Sequence, residues 1–177
     1  MDRLNPDFGA WSIESLETRV AGLQWGHELE RIRTVAQSYI HRSDQPRDVR
    51  LRWAKLSLAA NRRYHGDGAW EQARTRSQEF ALRTWVIACL ASDTDLASDP
   101  DWNPEALATD TLAALSLEPG RAESAATGWR DLPIEQIGEL RRHKNLTAHI
   151  DLLMPSLPPG PVKDRLAAWV SVRRHLP

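Results

Sequence analysis

The side chains of this 177-residue chain that could do chemistry are few, and most are spaced wrongly for a familiar site. Residues 92–103 carry Asp93, Asp95, Asp99 and Asp101, the oxygen ligands that a calcium ion takes. They lack the turn glycine and the closing glutamate of an EF-hand, so the stretch reads as a solvated acidic loop. Between 47 and 63 lie Arg47, Arg50, Arg52, Lys55, Arg62 and Arg63 against Asp48 alone, with Trp53, Tyr64 and His65 among or beside them. Arginines on a helix face can grip phosphates while aromatics stack on unpaired bases, which makes Arg50, Arg52 and Lys55 candidate nucleic-acid contacts. The same charges suit a solvated helix face, or pairing with the acidic region 93–123. The six histidines never fall four residues apart, so no metal site is expected. A Walker loop, a dinucleotide fingerprint and a Ser-His-Asp arrangement are all missing, and no cofactor is expected. The single cysteine, Cys89, sits in the apolar run Trp85–Leu90 and reads as a small buried residue.

One stretch remains, Leu140-Arg141-Arg142-His143-Lys144-Asn145-Leu146-Thr147-Ala148-His149-Ile150-Asp151. On a continuous helix, residues seven apart differ by only about 20° of rotation, so Arg142, Asn145 and His149 would share a face. Lys144 would point elsewhere, which favours Arg142 over Lys144 as the partner of His149. A plain alternative is that His149 packs at a helix interface and Arg142 pairs with Glu139 or Glu135.

These residues resemble the signature of the HEPN superfamily of helical ribonucleases and defence toxins. That signature is an Arg, often followed by Asn, Asp or His, with four to six residues before a closing His. Arg142 and His143 open it here, Ala148-His149 closes it, and six residues lie between Arg142 and His149. The resemblance covers about twelve residues and the all-helical class. It implies metal-independent RNA cleavage, with His149 as general acid or base for attack of a ribose 2′-hydroxyl on the adjacent phosphate. It implies that Arg142 holds the phosphate and stabilises its growing charge, that Asn145 orients either group, and that His143 lies against RNA. The family commonly builds its site across a two-fold axis, and about 10 Å of helical rise separates Arg142 from His149, so a homodimer is expected. Two other functions stay open: a non-enzymatic interaction protein (antitoxin, immunity protein or adaptor) with a protein partner, and a DNA-contacting role for the basic helix.

The elements that must position these residues read as helices throughout. Ser12 caps a long helix whose apolar positions run from Ile13 to Ile40 with a bend at Gly26. A second helix spans about Arg47–Tyr64, with Val49, Trp53, Leu56 and Ala60 inward, and a third spans Ala69–Ala91, apolar nearly all round in its second half. Asn103 and Pro104 open a fourth that Glu118-Pro119-Gly120 stops. Residues 121–131 carry no clear pattern. Pro133 opens a fifth helix to about Leu153, residues 154–161 form a proline-rich connection, and a last helix runs from Val162 to His175.

Composition agrees. Apolar residues make up 41% and charged residues 27%, and only 9 glycines occur, so one helical bundle of five to seven helices is expected, a single domain behind an N-terminal extension, 1–11. A net charge of −1 excludes a binder driven by bulk positive charge. No basic segment precedes an apolar one at the N-terminus, and no apolar run is long enough to span a bilayer; the expectation is a cytoplasmic protein without membrane contact. Eight tryptophans, from Trp11 to Trp169, are expected mostly as core anchors.

Overall fold

In the computed structural model, which describes residues 7–23, 26–64, 68–90 and 98–177, every regular element is helical. Among the described residues there are eight α-helices of nine residues or more and one four-residue turn, more than the five to seven expected. The chain divides into two compact units, Met1–Glu79 and Phe80–Pro177, where the sequence suggests a single domain. The boundary falls inside one helix, α4 (Ala69–Cys89). No described helix is long and apolar enough to cross a membrane.

In the first unit, the expected long helix is two: α1 (Ile13–Gly22) and α2 (His27–Ile40). Ser12 caps α1 by accepting the Ser15 N–H, a local signal that survives folding. Leu23 then turns extended, and Gly26 adopts φ 122°, a conformation that side chains with a Cβ rarely take. The slip in apolar phase near Gly26 therefore marks a break rather than a bend. α3 (Arg47–Arg63) packs along α2 and α1, burying Trp53, Leu56 and Ala60 against Leu16, Val20, Leu29, Ile32, Ala36 and Ile40. Trp53 stacks on Tyr39 with centroids 4.4 Å apart.

The second unit begins with the last two and a half turns of α4. Phe80, Leu82, Val86 and Ile87 are buried there, but Cys89 at its end is exposed, contrary to the buried cysteine expected. Asn103 and Pro104 open α5 (Pro104–Ala114) as expected, with Asn103 accepting the Ala106 N–H. Pro119 does not end structure; it starts α6 (Pro119–Thr127), in the stretch left unassigned by periodicity. Proline suits a first helical turn because its missing N–H would be unpaired there anyway. α7 (Ile134–Leu146), α8 (Ile150–Leu153) and α9 (Pro161–Arg173) follow. α9 lays Leu166, Trp169 and Val172 against α5, α6 and α8.

Arg83 of α4 is the polar keystone of this unit. Its guanidinium, 4% exposed, donates to the Asp101 carbonyl at 2.9 Å, the Pro100 carbonyl at 3.1 Å and the Asp110 carboxylate at 2.9 Å. The end of the acidic loop is therefore tied to α4 and α5 by backbone, and Asp99 turns inward to accept the Asp101 N–H. Asp93 and Asp95 lie outside the described residues. Among those described, no three His, Cys, Asp or Glu side chains are placed to hold a metal ion.

Candidate functional site

The fifth helix expected from Pro133 to Leu153 breaks in the middle of the motif. α7 ends at Leu146, residues 147–149 turn, and His149 becomes the residue before α8, with φ −113° and ψ 7°. Two interactions account for the break. Thr147, fully buried, turns its hydroxyl back onto the His143 carbonyl at 2.8 Å, a bond that competes with continued helix. Arg173 reaches in from α9 and donates to the Thr147 carbonyl at 2.7 Å and the Ala148 carbonyl at 2.9 Å, while ion-pairing with Asp151. The carbonyls that a helix end leaves unpaired are thereby satisfied. The single-face argument for Arg142, Asn145 and His149 fails with the helix: Arg142 and Asn145 stay on α7, and His149 leaves on the elbow.

Arg142, Asn145 and His149 are all exposed to solvent. Arg142 makes no ion pair or hydrogen bond with any described residue, because its expected partner Glu139 accepts instead from the Ser116 hydroxyl at 2.6 Å. His149 is not buried at a helix interface. Partial desolvation of its ring, together with the Arg173 charge, lowers its pKa below the ordinary histidine value. A neutral imidazole at neutral pH follows.

His143 does not lie open to RNA, as the motif suggests; it is 2% exposed. Its Nε2 faces the Ser116 N–H at 3.0 Å and the Leu117 N–H at 3.3 Å, groups that can only donate, so Nε2 accepts. Nδ1–H then donates to the Glu139 carbonyl at 2.7 Å. The ring stacks on Trp169 at 5.3 Å, which joins α7 to α9 and to the chain leaving α5. Leu140, His143 and Thr147 form one buried stripe at helical spacing, the signal that could have separated His143 from its exposed neighbours.

Burial lowers the His143 pKa; the Glu139 carbonyl and carboxylate oppose this, and Arg142 adds to it. A histidine kept neutral in the native state but free to protonate when unfolded stabilises the fold above the ordinary histidine pKa of about 6.5. That stability is lost as pH falls through this value toward the folded pKa. Wild-type urea midpoints are accordingly expected to fall between pH 7.5 and 5.5 by more than those of His143→Gln, which starts lower. Equal falls would assign the acid sensitivity elsewhere.

The basic helix, α3, is largely engaged inside its own unit. Arg50 donates to the Ile40 carbonyl at 2.7 Å. Arg52 forks onto Glu17 at 2.6 and 2.8 Å and onto Glu14 at 2.7 Å, and these bonds hold the Glu14 carboxyl below its usual range after its own backbone contact. Arg63 takes the Ala21 and Leu23 carbonyls at the end of α1. Arg52 and Arg63 are bound to α1 and Arg50 to the end of α2, so Arg50 and Arg52 are committed to bolting helices together. Lys55 is exposed.

Folding instead gathers cations at the elbow. Lys144 donates to the Leu176 carbonyl at 2.8 Å and Arg173 grips residues 147 and 148, so the end of α9, with Arg174 and His175 exposed, lies against the end of α7, with Arg141 and Arg142 exposed. Asp151 is the acid bound into this cluster. Comparison of the chain with protein families, with characterised proteins and with solved structures returns no significant match.

Proposed function

We propose that the elbow between α7 and α8 is a metal-independent endoribonuclease site of HEPN type, a component suited to a toxin or phage-defence system. The observation that supports it is that Arg142, without an ion pair or hydrogen bond to a described residue, and His149, kept neutral beside Arg173, are both exposed on the two sides of the elbow. A neutral imidazole can take the proton from a ribose 2′-hydroxyl as its oxygen attacks the adjacent phosphorus. The P–O5′ bond then breaks, leaving a 2′,3′-cyclic phosphate and a 5′-hydroxyl that receives a proton from an imidazolium or water. Arg142 meets the charge that grows on the non-bridging oxygens. The exposed Arg174 holds the flanking strand by its charge.

A second copy of the chain completes the site. α7 exposes Ile134 at 71%, and a Cβ built on Gly138, midway along the helix, would meet nothing within 4 Å. Glu135 and Arg141 lie three residues either side of Gly138, both exposed. Antiparallel pairing of two α7 helices at Gly138 sets Glu135 of each against Arg141 of the other, a self-complementary two-fold contact. The same exposed face supports the second reading, a non-enzymatic interaction protein, whose partner would cover Ile134.

The test is cleavage of RNA with EDTA present. The expected result is a 2′,3′-cyclic phosphate product, formed at a rate per chain that falls on dilution as the dimer dissociates, and lost in Ile134→Asp. Cleavage abolished by EDTA would sink the ribonuclease reading. No cleavage, with a stoichiometric partner released by Ile134→Asp, would establish the interaction protein.

A further inference from the structure

Arg33 and Arg74 of the first unit present a different problem from the elbow. Arg33 sits on α2, three residues after Glu30, and its side chain is 11% exposed. It makes no hydrogen bond to a described residue; among these its nearest counter-charge is Glu30 Oε1 at 3.7 Å, beyond hydrogen-bond reach. Arg74, near the start of α4, donates to that same oxygen at 3.1 Å, yet its own Nε–H is buried with no acceptor. Asn61 of α3, donating to the Thr75 carbonyl at 2.8 Å, holds this part of α4 in place.

A guanidinium has five N–H donors in a rigid fork and cannot shed its proton to escape burial. Unmatched donors out of water are destabilising. Arg83, buried to a similar degree, shows what the fold does when an arginine is purely structural: it supplies three acceptors. Arg33 receives none. Two guanidinium groups share one carboxylate, which leaves the cluster one positive charge in excess. Burial is the main influence lowering the Arg33 pKa; Glu30 opposes it, the Arg74 charge adds to it, and Tyr64 also faces the group.

We infer that Arg33 and Arg74 form an oxyanion site for a phosphate group, held by the two guanidinium groups beside Glu30. One carboxylate already stands there and reaches neither the Arg33 fork nor the Arg74 Nε–H, whereas a phosphate brings several acceptor oxygens. Its negative charge offsets the excess. The residues belong to α2 and α4 and share none with the elbow.

The experiment is a titration of the full chain with inorganic phosphate, at constant ionic strength set with chloride. Binding is expected to move the Arg74 Nε–H resonance and, at about tenfold over Kd, to raise the thermal midpoint by about 3–5 °C. Both responses should vanish in Arg33→Met, whose midpoint in chloride alone should equal or exceed wild type because a buried, unmatched charge has gone. Glu30→Gln should bind phosphate more tightly, since it removes the competing carboxylate. A short oligoribonucleotide that displaces phosphate would identify the source as a nucleic-acid backbone; one that does not would identify a free phosphate or small phosphorylated molecule. Acetate acting as well as phosphate, a midpoint rise equal in wild type and Arg33→Met, or an unmoved Arg74 resonance would each overturn the site.

Discussion

Replacing His149 with alanine is expected to lower RNA cleavage by about 10²–10⁴-fold, the usual contribution of a general base or acid, and to leave stability within about 0.5 kcal/mol of wild type. The two halves of that expectation come from different observations. The imidazole makes no side-chain bond at the start of α8 and is exposed, so its removal opens no cavity and orphans no partner. Its pKa is lowered, so the base form dominates at neutral pH, and the acidic limb of the rate profile should lie below the ordinary histidine range. Arg142→Ala should cost about 10²–10³-fold in kcat with an unchanged melting temperature, because no described residue loses a partner with it. Arg142→Lys should recover only part, since an ammonium cannot present a planar fork. Assays of a short RNA across pH, with circular dichroism as the folding control, measure these quantities. If His149→Ala cleaves as fast as wild type, the elbow is not a nuclease site.

Arg83→Met is expected to cost the fold about 3 kcal/mol, the largest loss from a single polar side chain here. Three donors leave at once from a buried position, and the Pro100 and Asp101 carbonyls lose their partners. Asp110 matters less. Its carboxylate is 54% exposed, so Asp110→Ala removes a solvent-screened ion pair and leaves Arg83 with both carbonyls, for about 1 kcal/mol. Urea unfolding of the two variants should keep this order; a loss in Asp110→Ala as large as in Arg83→Met would mean that charge pairing, not the carbonyl grip, holds the loop. The contrast with Arg33→Met, expected to stabilise or be neutral, separates an arginine that the fold satisfies from one that it leaves for a ligand.

Local chemistry was legible in the residues themselves. Ser12 and Asn103 cap because a side-chain oxygen reaches an N–H three residues on, and Pro104 opens α5 because its φ is already helical. The apolar spacing of α2 and α3 located their buried faces, since a helix has only one stripe to hide. The same local rules misplaced the ends of elements wherever two outcomes were open: Pro119 could stop a helix or start one, and Gly26 could bend a helix or break it.

The candidate site divides in the same way. Arg142 and His149 stood out by residue type and spacing, but their relation was decided by Arg173, which arrives from 26 residues away to close off the end of α7. His143 shared their motif and was buried by Ser116, from the chain leaving α5, and by Trp169 of α9. Arg50 and Arg52 looked like phosphate ligands until α1 supplied carboxylates and α2 a carbonyl. Sequence alone determined which groups could act, because acidity and hydrogen-bonding capacity belong to the side chain. Only the tertiary structure decided which remain available, because burial and partnership depend on what distant segments bring to the same place.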